Sequence, residues 1–260
     1  MRARVQQVAT FAVEPFRGNP AFVVSLEEDV SSELLRTVAA QLGDGVTAIL
    51  GPREGDALRL RFVTAAGPHP GAGHAATAAA AVALEDRAAV DVTLDDGTRT
   101  RFWREGDRVV VPCPAMPWAR SEAGPVLGTA LGLAPDHCLV AAFGYVAVYS
   151  GEASLRGLDP DMAALAGLDR DAVIATAPGT ASDIAIRVFA PKVGLPEDPV
   201  CGTAHRLVVP FWAKRLGRSR LHSRHLSARG GDLWCGFDGT TVTIAGQTCR
   251  FLDGELLLPG

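Results

Sequence analysis

The sequence predicts an α+β protein built from two copies of one strand–loop–helix unit. Two segments carry this prediction: LRLRFVTAAGPHPGAGHAATAAAAVAL (58–84) and DIAIRVFAPKVGLPEDPVCGTAHRLVVPFWAKRLG (183–217). Each opens with alternating apolar and polar residues, which indicates a strand, and passes through a loop rich in Gly and Pro. Each ends in a run long enough for a helix. Because the order of elements repeats, the fold is predicted to repeat as well.

The residues after each helix predict β-hairpins. The stretches AAVDVTLDDGTRTRFWREGDRVVVPCP (88–114) and HLSARGGDLWCGFDGTTVTIAG (225–246) place Asp-Gly or Gly-Gly between strand-like runs. The first helix, HAATAAAAVAL, is apolar nearly all round, so we expect its own sheet to wrap it. The proline-rich stretch 112–125 marks a boundary, which predicts domains 1–117 and 118–260.

Composition excludes several classes of protein. The chain has 260 residues, 48% of them hydrophobic and 21% charged, as is typical of a soluble globular protein. Its net charge of −4 argues against nucleic acid as a partner. No apolar run reaches membrane-spanning length, and the N-terminal residues do not have the pattern of a signal peptide.

Cysteine usage predicts a reduced, cytoplasmic setting. The five cysteines are odd in number and form no C-x-x-C pair, so neither a disulfide framework nor a zinc site is indicated. His222 and His225 resemble a metal pair, but no third ligand lies near them in the sequence. We therefore expect no bound metal.

The two Gly-rich loops, GAGHAAT and GLPEDPVCGTAH, each lead into a predicted helix. The first turn of a helix carries free N–H groups and the positive end of the helix dipole. Two such helix starts that faced one cleft would suit a small molecule with a carboxylate. The simpler alternative is that both loops are only strand-to-helix turns.

Four pieces of the sequence resemble the PhzF family of phenazine-biosynthesis-like isomerases, within the diaminopimelate epimerase-like fold group. They are PFRGNPAFVV (15–24), GAGHAATAAA (71–80), FAPKVGLPEDPVCGTAH (189–205) and LSARGGDLW (226–234), in the family's order. The resemblance implies two similar domains, each a mainly antiparallel sheet wrapped around a central helix, with the site in the cleft between them. It also implies a homodimer, neither metal nor organic cofactor, and a reaction in which a carboxylic acid side chain moves a proton between two carbons.

One position departs from the family pattern. The family's catalytic glutamate stands in a Ser-Glu-Thr motif, and the matching region here is QLGDGVTAIL (41–50), which places Val46 at the glutamate. Valine cannot carry a proton. Three alternatives follow: Asp44 swings in as the base, another residue of the cleft has taken over that role, or catalysis has been lost.

If the base has moved, the two loops supply the candidates. His74 follows Gly73 at a helix start and titrates near neutral pH, although a histidine there can also simply cap the helix. Asp198 either exchanges a proton or orients the substrate, or it is only a turn residue before proline. Cys201 occupies the position of a racemase cysteine, where a helix N-terminus lowers a thiol pKa, but it also suits a small packing residue. His69 is a further candidate acid/base, or an exposed loop residue.

The resemblance also implies substrate-binding positions, which are Asn19, Val46, Gly73, Gly202 and Thr203. Residues 46–50 are predicted to form a strand after an Asp-Gly turn. Alternation along that strand would place Val46 on one face with Ala48 and Leu50, and Asp44 beyond its start. Val46 is then expected to line the cleft, with Asp44 turned away.

The function expected from these features is a cofactor-independent isomerase. It would shift a double bond by proton transfer in a small, carboxylate-bearing, amino-acid-derived molecule, a dienoic acid or cyclic imine, in specialised or antibiotic biosynthesis. One alternative is a small-molecule-binding relative that has lost the catalytic acid. Another is an epimerase that depends on Cys201.

Overall fold

The computed structural model describes residues 1–43, 45–85 and 87–259. The chain forms two compact units. The first comprises Met1–Pro112 together with the C-terminal segment from Ala245, and the second comprises Cys113–Ile244.

The N-terminal part of the chain contributes eight strands and two helices to the described structure. In chain order they are β1 (Arg2–Thr10), β2 (Asn19–Ser25), α1 (Ser32–Leu42), β3 (Thr47–Glu54), β4 (Ala57–Thr64), β5 (Gly67–Pro68), α2 (Gly73–Leu84), β6 (Ala89–Leu94), β7 (Arg99–Glu105) and β8 (Arg108–Pro114).

The rest of the chain contributes nine strands, four α-helices and a 3₁₀ turn at Pro191–Val193 to the described structure. In chain order the strands and helices are β9 (Ala119–Arg120), α3 (Gly124–Leu131), β10 (His137–Val140), β11 (Gly144–Val148), α4 (Glu152–Arg156), α5 (Met162–Ala166), β12 (Ala172–Pro178), β13 (Ile184–Phe189), α6 (His205–Leu216), β14 (Arg220–His225), β15 (Gly231–Phe237), β16 (Thr241–Gly246) and β17 (Thr248–Leu257).

Strand pairing shows that the two units repeat one topology. In the first unit β1–β2 is antiparallel, β2–β3 parallel, β3–β4 antiparallel, β4–β6 parallel and β6–β7 antiparallel. In the second, β10–β11, β11–β12, β12–β13, β13–β14 and β14–β15 follow the same alternation. Parallel neighbours need a crossover connection, and α2 and α6 fill the equivalent crossovers after β4 and β13. The predicted duplication is therefore confirmed.

Helix α2 lies at the centre of the first unit. Its side chains from Ala75 to Leu84 are mostly buried, and alanines dominate because the sheet approaches closely. Apolar residues of β1, β2, β3, β4, β6, β7 and β8 form one cluster around it. Helix α1 covers the opposite face of the sheet and packs against a separate apolar cluster. The predicted helix, wrapped by its own sheet, is confirmed.

Helix α6 is the equivalent central helix of the second unit. Its buried side chains include Leu207, Val208, Val209 and Trp212, and the Trp212 indole donates a hydrogen bond to Thr176 Oγ1 of β12 at 3.0 Å. Helices α3, α4 and α5 pack against a second cluster with side chains of β10–β13. Each unit is thus a mainly antiparallel sheet around one helix, as the predicted fold class requires.

The predicted hairpin turns occur where expected. Gly97 and Gly239 have φ of 81° and 107°, the left-handed region that glycine tolerates. The preceding Asp96 and Asp238 accept backbone N–H groups two residues further on, at 2.8 and 2.9 Å. The same turn chemistry therefore closes β6–β7 and β15–β16.

The domain limits differ from the predicted 1–117 and 118–260. The break falls after Pro112, and the last strand, β17, belongs to the first unit because it pairs antiparallel with β1 from Arg2↔Leu257 to Thr10↔Thr248. A strand partner so distant in sequence leaves no local signal.

In the described part of the chain, no helix is long and apolar enough to cross a membrane.

Candidate active site

In the first unit, the predicted substrate-binding residues lie at one edge of the sheet. Val23 of β2 pairs with Ala48 of β3, and Ala48 pairs with Phe62 of β4. Because β2 and β3 are parallel and β4 runs against them, the starts of β2 and β3 meet the end of β4 at the same edge. Asn19 begins β2, Val46 immediately precedes β3, and the loop after β4 leads to the start of α2.

Val46 is half-buried and packs against the apolar cluster around α2. Ala48 and Leu50 belong to the same cluster, whereas Ile49 packs on the other face with α1. The predicted alternation is therefore confirmed, although β3 itself begins at Thr47. Asp44, the alternative base, lies outside the described residues.

The loop between β4 and α2 is folded back by His69. Its backbone N–H donates to the carbonyl of Phe62 at 2.8 Å, and its Nδ1 accepts the N–H of Gly71 at 3.1 Å. An amide can only donate, so the proton of the neutral ring lies on Nε2. Burial lowers the pKa of the half-buried His69, which favours this neutral form.

His74 is the second residue of helix α2. The preceding Ala72 has extended backbone angles and no side-chain oxygen, so no side chain caps the first turn. Burial, followed by the charge that His69 would carry, lowers the pKa of His74 to about 4. His74 is therefore a neutral imidazole at pH 7, beside the uncapped N–H groups of a helix start.

Asp198 organises the corresponding loop of the second unit in the same way. Its N–H donates to the carbonyl of Val188 at 2.8 Å, and its Oδ1 accepts the N–H of Val200 at 3.1 Å. His69-Pro70-Gly71-Ala72-Gly73 and Asp198-Pro199-Val200-Cys201-Gly202 therefore form equivalent turns. Asp198 is only 9% exposed.

Three further side chains hold the Asp198 loop. Arg187 of β13 makes a bidentate pair with Glu197, at 2.8 and 3.1 Å, and also donates to the carbonyl of Leu155. The Ser227 hydroxyl donates to the carbonyl of Pro199. The sequence analysis did not single out Arg187, Glu197 or Ser227. Of the three, only Arg187 could have been found from the sequence, because a charged residue within the apolar run of a strand indicates a specific partner.

Cys201 does not have the lowered pKa that a helix start was expected to give it. It is buried, and burial, followed by the neighbouring Asp198 carboxylate, raises the pKa of the thiol well above its ordinary value. The backbone N–H groups of Ala204 and Thr203 oppose this shift in the pKa without reversing it. Helix α6 begins only at His205, so Cys201 precedes it by a full turn.

The structure thus gathers the predicted residues into two groups, one in each unit. Asn19, Val46, Gly73 and His74 lie at the sheet edge of the first unit, and His69 joins them through its loop. Asp198, Cys201, Gly202 and Thr203 lie in one loop of the second unit. Across the described ranges, no three His, Cys, Asp or Glu side chains are placed to hold a metal ion.

Comparison with known proteins gives one consistent family. The family model PhzC-PhzF, "Phenazine biosynthesis-like protein", matches residues 8–100 and 137–252. An "uncharacterized isomerase" of Pseudomonas aeruginosa is 38% identical over 263 residues, which cover 99% of this chain and all of that protein.

Solved structures agree with the fold. A PhzF-family protein of Enterococcus faecalis superposes with a TM-score of 0.92 at 30% identity, covering 99% of this chain and all of that one. A hydroxyproline epimerase of Agrobacterium vitis superposes with a TM-score of 0.62 at 13% identity, covering 98% of this chain and 92% of that one. The second likeness bears on the fold alone, and it supports the diaminopimelate epimerase-like class.

Proposed function

Because the chain belongs to the PhzC-PhzF family of phenazine biosynthesis-like proteins, we propose that it is an isomerase in which Asp198 moves a proton between two carbons of a small carboxylate-bearing molecule. An isomerase- or epimerase-type function is what family membership supports. The finer assignment, to Asp198 and to a double-bond shift, is our proposal.

The observation that carries the proposal is the setting of the Asp198 carboxylate. It is nearly buried, its Oδ1 is held by the Val200 amide, and it stands seven residues before the central helix α6. A fixed carboxylate in a water-poor loop needs little reorganisation to accept a proton. The same loop carries a second carboxylate, Glu197, but that group is engaged by the Arg187 guanidinium, so Asp198 is the candidate base.

In the proposed reaction, Asp198 removes a proton from a carbon adjacent to a conjugated system and returns it to another carbon of that system. The double bond shifts, and no electron is gained or lost, so no redox cofactor is required. In the same loop, the N–H group of Gly202 and the hydroxyl of Thr203 bind the substrate carboxylate.

The proposed substrate class is a dienoic acid or cyclic imine derived from an amino acid. Conjugation to C=C or C=N acidifies the γ-carbon, so a carboxylate weaker than a free alkoxide suffices as the base. A role in specialised biosynthesis and a homodimeric, cytoplasmic enzyme remain predictions of the resemblance.

The test is solvent exchange in heavy water. The protein is incubated with a panel of small 2,4-dienoic and cyclic-imine carboxylates in D₂O, and proton NMR follows deuterium uptake and double-bond position. We expect uptake with the wild type and a loss of at least about 100-fold in Asp198→Asn, which keeps the acceptor for Val200 but not the base. Wild-type rates in Asp198→Asn would refute the role of Asp198.

The same panel separates the alternatives. Binding by calorimetry without turnover by any panel member would favour the relative that has lost catalysis, for which Val46 is the supporting observation. Exchange at Cα that disappears in Cys201→Ala but persists in Asp198→Asn would favour the Cys201-dependent epimerase. The raised pKa of Cys201 argues against that outcome.

A further inference from the structure

Two buried imidazoles form hydrogen bonds with the N–H and the carbonyl of Cys201. The Cys201 N–H donates to His225 Nε2 at 3.3 Å, and the Cys201 carbonyl accepts a hydrogen bond from His205 Nδ1 at 2.9 Å. His205 and His225 are 0% and 2% exposed, so neither ring contacts solvent appreciably. Neither histidine has a part in the function proposed above.

These contacts dictate the tautomer of each ring. An amide only donates, so His225 Nε2 carries a lone pair and the ring proton lies on Nδ1. A carbonyl only accepts, so His205 carries its proton on Nδ1 as well, and its Nε2 accepts the Ser223 hydroxyl at 2.8 Å. Ser223 and His225, two residues apart on β14, lie on the same strand face. Strand β14 is thereby tied to the loop.

The hydrogen bond between His205 and the Cys201 carbonyl changes how helix α6 begins. In the first unit, the carbonyl of Ala72 accepts the N–H of Ala76, the ordinary helical bond. At the equivalent position of the second unit, the Cys201 carbonyl is occupied by the His205 imidazole, and the His205 N–H bonds to Gly202 instead. Residues 202–204 therefore form a tighter turn, in which the N–H groups of His205 and Arg206 bond to the carbonyls three residues before them.

The clamped peptide adjoins the residue that holds the Asp198 carboxylate. The Cys201 N–H belongs to the peptide group between Val200 and Cys201, and the Val200 N–H donates to Asp198 Oδ1 at 3.1 Å. Because the two imidazoles hold the Cys201 peptide groups, they also restrict the backbone of Val200 and hence the direction of its N–H.

We infer that His205 and His225 are positioning residues, which clamp the Cys201 peptide groups and, through the adjacent Val200 amide, fix the Asp198 carboxylate. The consequence for catalysis rests on the proposed function of Asp198. The clamp itself does not, and it is tested without any substrate.

The first experiment determines the tautomers. In protein labelled with ¹⁵N-histidine, long-range ¹H–¹⁵N correlations at pH 7 are expected to show Nδ1–H neutral rings for His205 and His225. Free histidine favours the Nε2–H form, so the assignment is distinctive. An Nε2–H ring or an imidazolium at either position would overturn the inference.

The second experiment uses paired amides that mimic one ring nitrogen each. A glutamine side chain reaches the position of Nε2, and an asparagine side chain reaches that of Nδ1. His225→Gln is therefore expected to keep the acceptor for Cys201, and His225→Asn to lose it. For His205 the order reverses: Asn keeps the donor to the Cys201 carbonyl, and Gln keeps only the Ser223 contact.

The readout is hydrogen exchange of the Cys201 amide, followed by NMR under native conditions. His225→Asn is expected to exchange at least about 10-fold faster than His225→Gln, since the amide loses its acceptor. Equal exchange in the two would overturn the clamp.

The kinetic readout applies if the heavy-water assay detects turnover. His225→Asn and His205→Gln should then lower kcat between about 10-fold and 100-fold with little change in KM, whereas His225→Gln and His205→Asn should not. Loss of kcat in all four variants alike would overturn the positioning role, whereas absence of turnover in the wild type would count against the proposed function only.

Discussion

His69 and Asp198 occupy the same position in the two copies of the unit. Each precedes a proline, each donates its N–H to the preceding strand at 2.8 Å, and each accepts the N–H of the second residue onward at 3.1 Å. One is an imidazole and the other a carboxylate. The duplicated turn has thus kept its geometry while the chemistry of its titratable group has diverged.

If the two turns are equivalent, asparagine should replace either residue with little loss of stability, because its side-chain oxygen accepts the same amide. Alanine leaves that amide unpaired. We expect His69→Ala and Asp198→Ala to be less stable than the corresponding Asn variants by about 1 kcal/mol each, measured by urea unfolding at pH 7. Equal stabilities of the Ala and Asn variants would show that the turns do not depend on these acceptors.

Val46→Glu introduces the glutamate that the resemblance predicts at this position, and it places a carboxylate against the apolar cluster around α2. Since Val46 is half-buried, we expect a loss of about 1–2 kcal/mol at pH 7. Burial raises a carboxyl pKa, so protonation on acidification favours the folded state, and the loss relative to wild type should shrink between pH 7 and pH 5. Val46→Gln, of the same size, should show no such pH dependence.

The buried His205 makes folding sensitive to acid. Burial lowers its pKa to about 4, whereas an unfolded histidine titrates near 6.5. Between those values the unfolded state binds more protons, so the free energy of unfolding falls as pH falls, by roughly 3 kcal/mol for this residue. His205→Asn cannot titrate. The destabilisation it causes should therefore be largest at pH 7 and shrink towards pH 4, and a constant difference across that range would contradict the shift.

Cysteine reactivity should follow burial. Cys201 is 5% exposed with a raised pKa, whereas Cys249 is only half-buried. Alkylation by iodoacetamide at pH 8, located by mass spectrometry, should modify Cys249 at least about 100-fold faster than Cys201. Cys249→Ser should remove the rapid phase. Rapid modification of Cys201 in the folded protein would instead revive the Cys201-dependent epimerase.

Arg187 should be the most sensitive residue around the Asp198 loop. Its bidentate partner Glu197 is 24% exposed at the side chain, and its guanidinium also lies over the Phe189 ring at 4.9 Å. Arg187→Met leaves Glu197 without its cation and is expected to cost about 2–4 kcal/mol. Adding Glu197→Gln should recover part of the lost stability, because the double variant no longer contains an unpaired carboxylate at position 197. A double variant no more stable than Arg187→Met would exclude this coupling.

Local patterns were sufficient to predict the central helices, the hairpins and the face on which Val46 lies. Each depends on residues within one element: the alanines of α2, the Asp-Gly turns, and the alternation from Val46 to Leu50. The contribution of β17 to the first unit could not be predicted in this way, because its partner β1 lies at the other end of the chain. The pKa of Cys201 was mispredicted for a related reason, since helix position is local but burial is set by the whole unit.

The pairing of β17 with β1 also sets the order in which the two units can complete their folding during synthesis. The second unit is continuous, and all of its residues exist once the ribosome has reached Ile244. The first unit begins the chain yet must wait for the last strand, and until then one side of β1 presents unpaired backbone groups. Domains generally fold in order from the N-terminus as they emerge from the ribosome. Here the first unit, although synthesised first, is the last to complete its sheet.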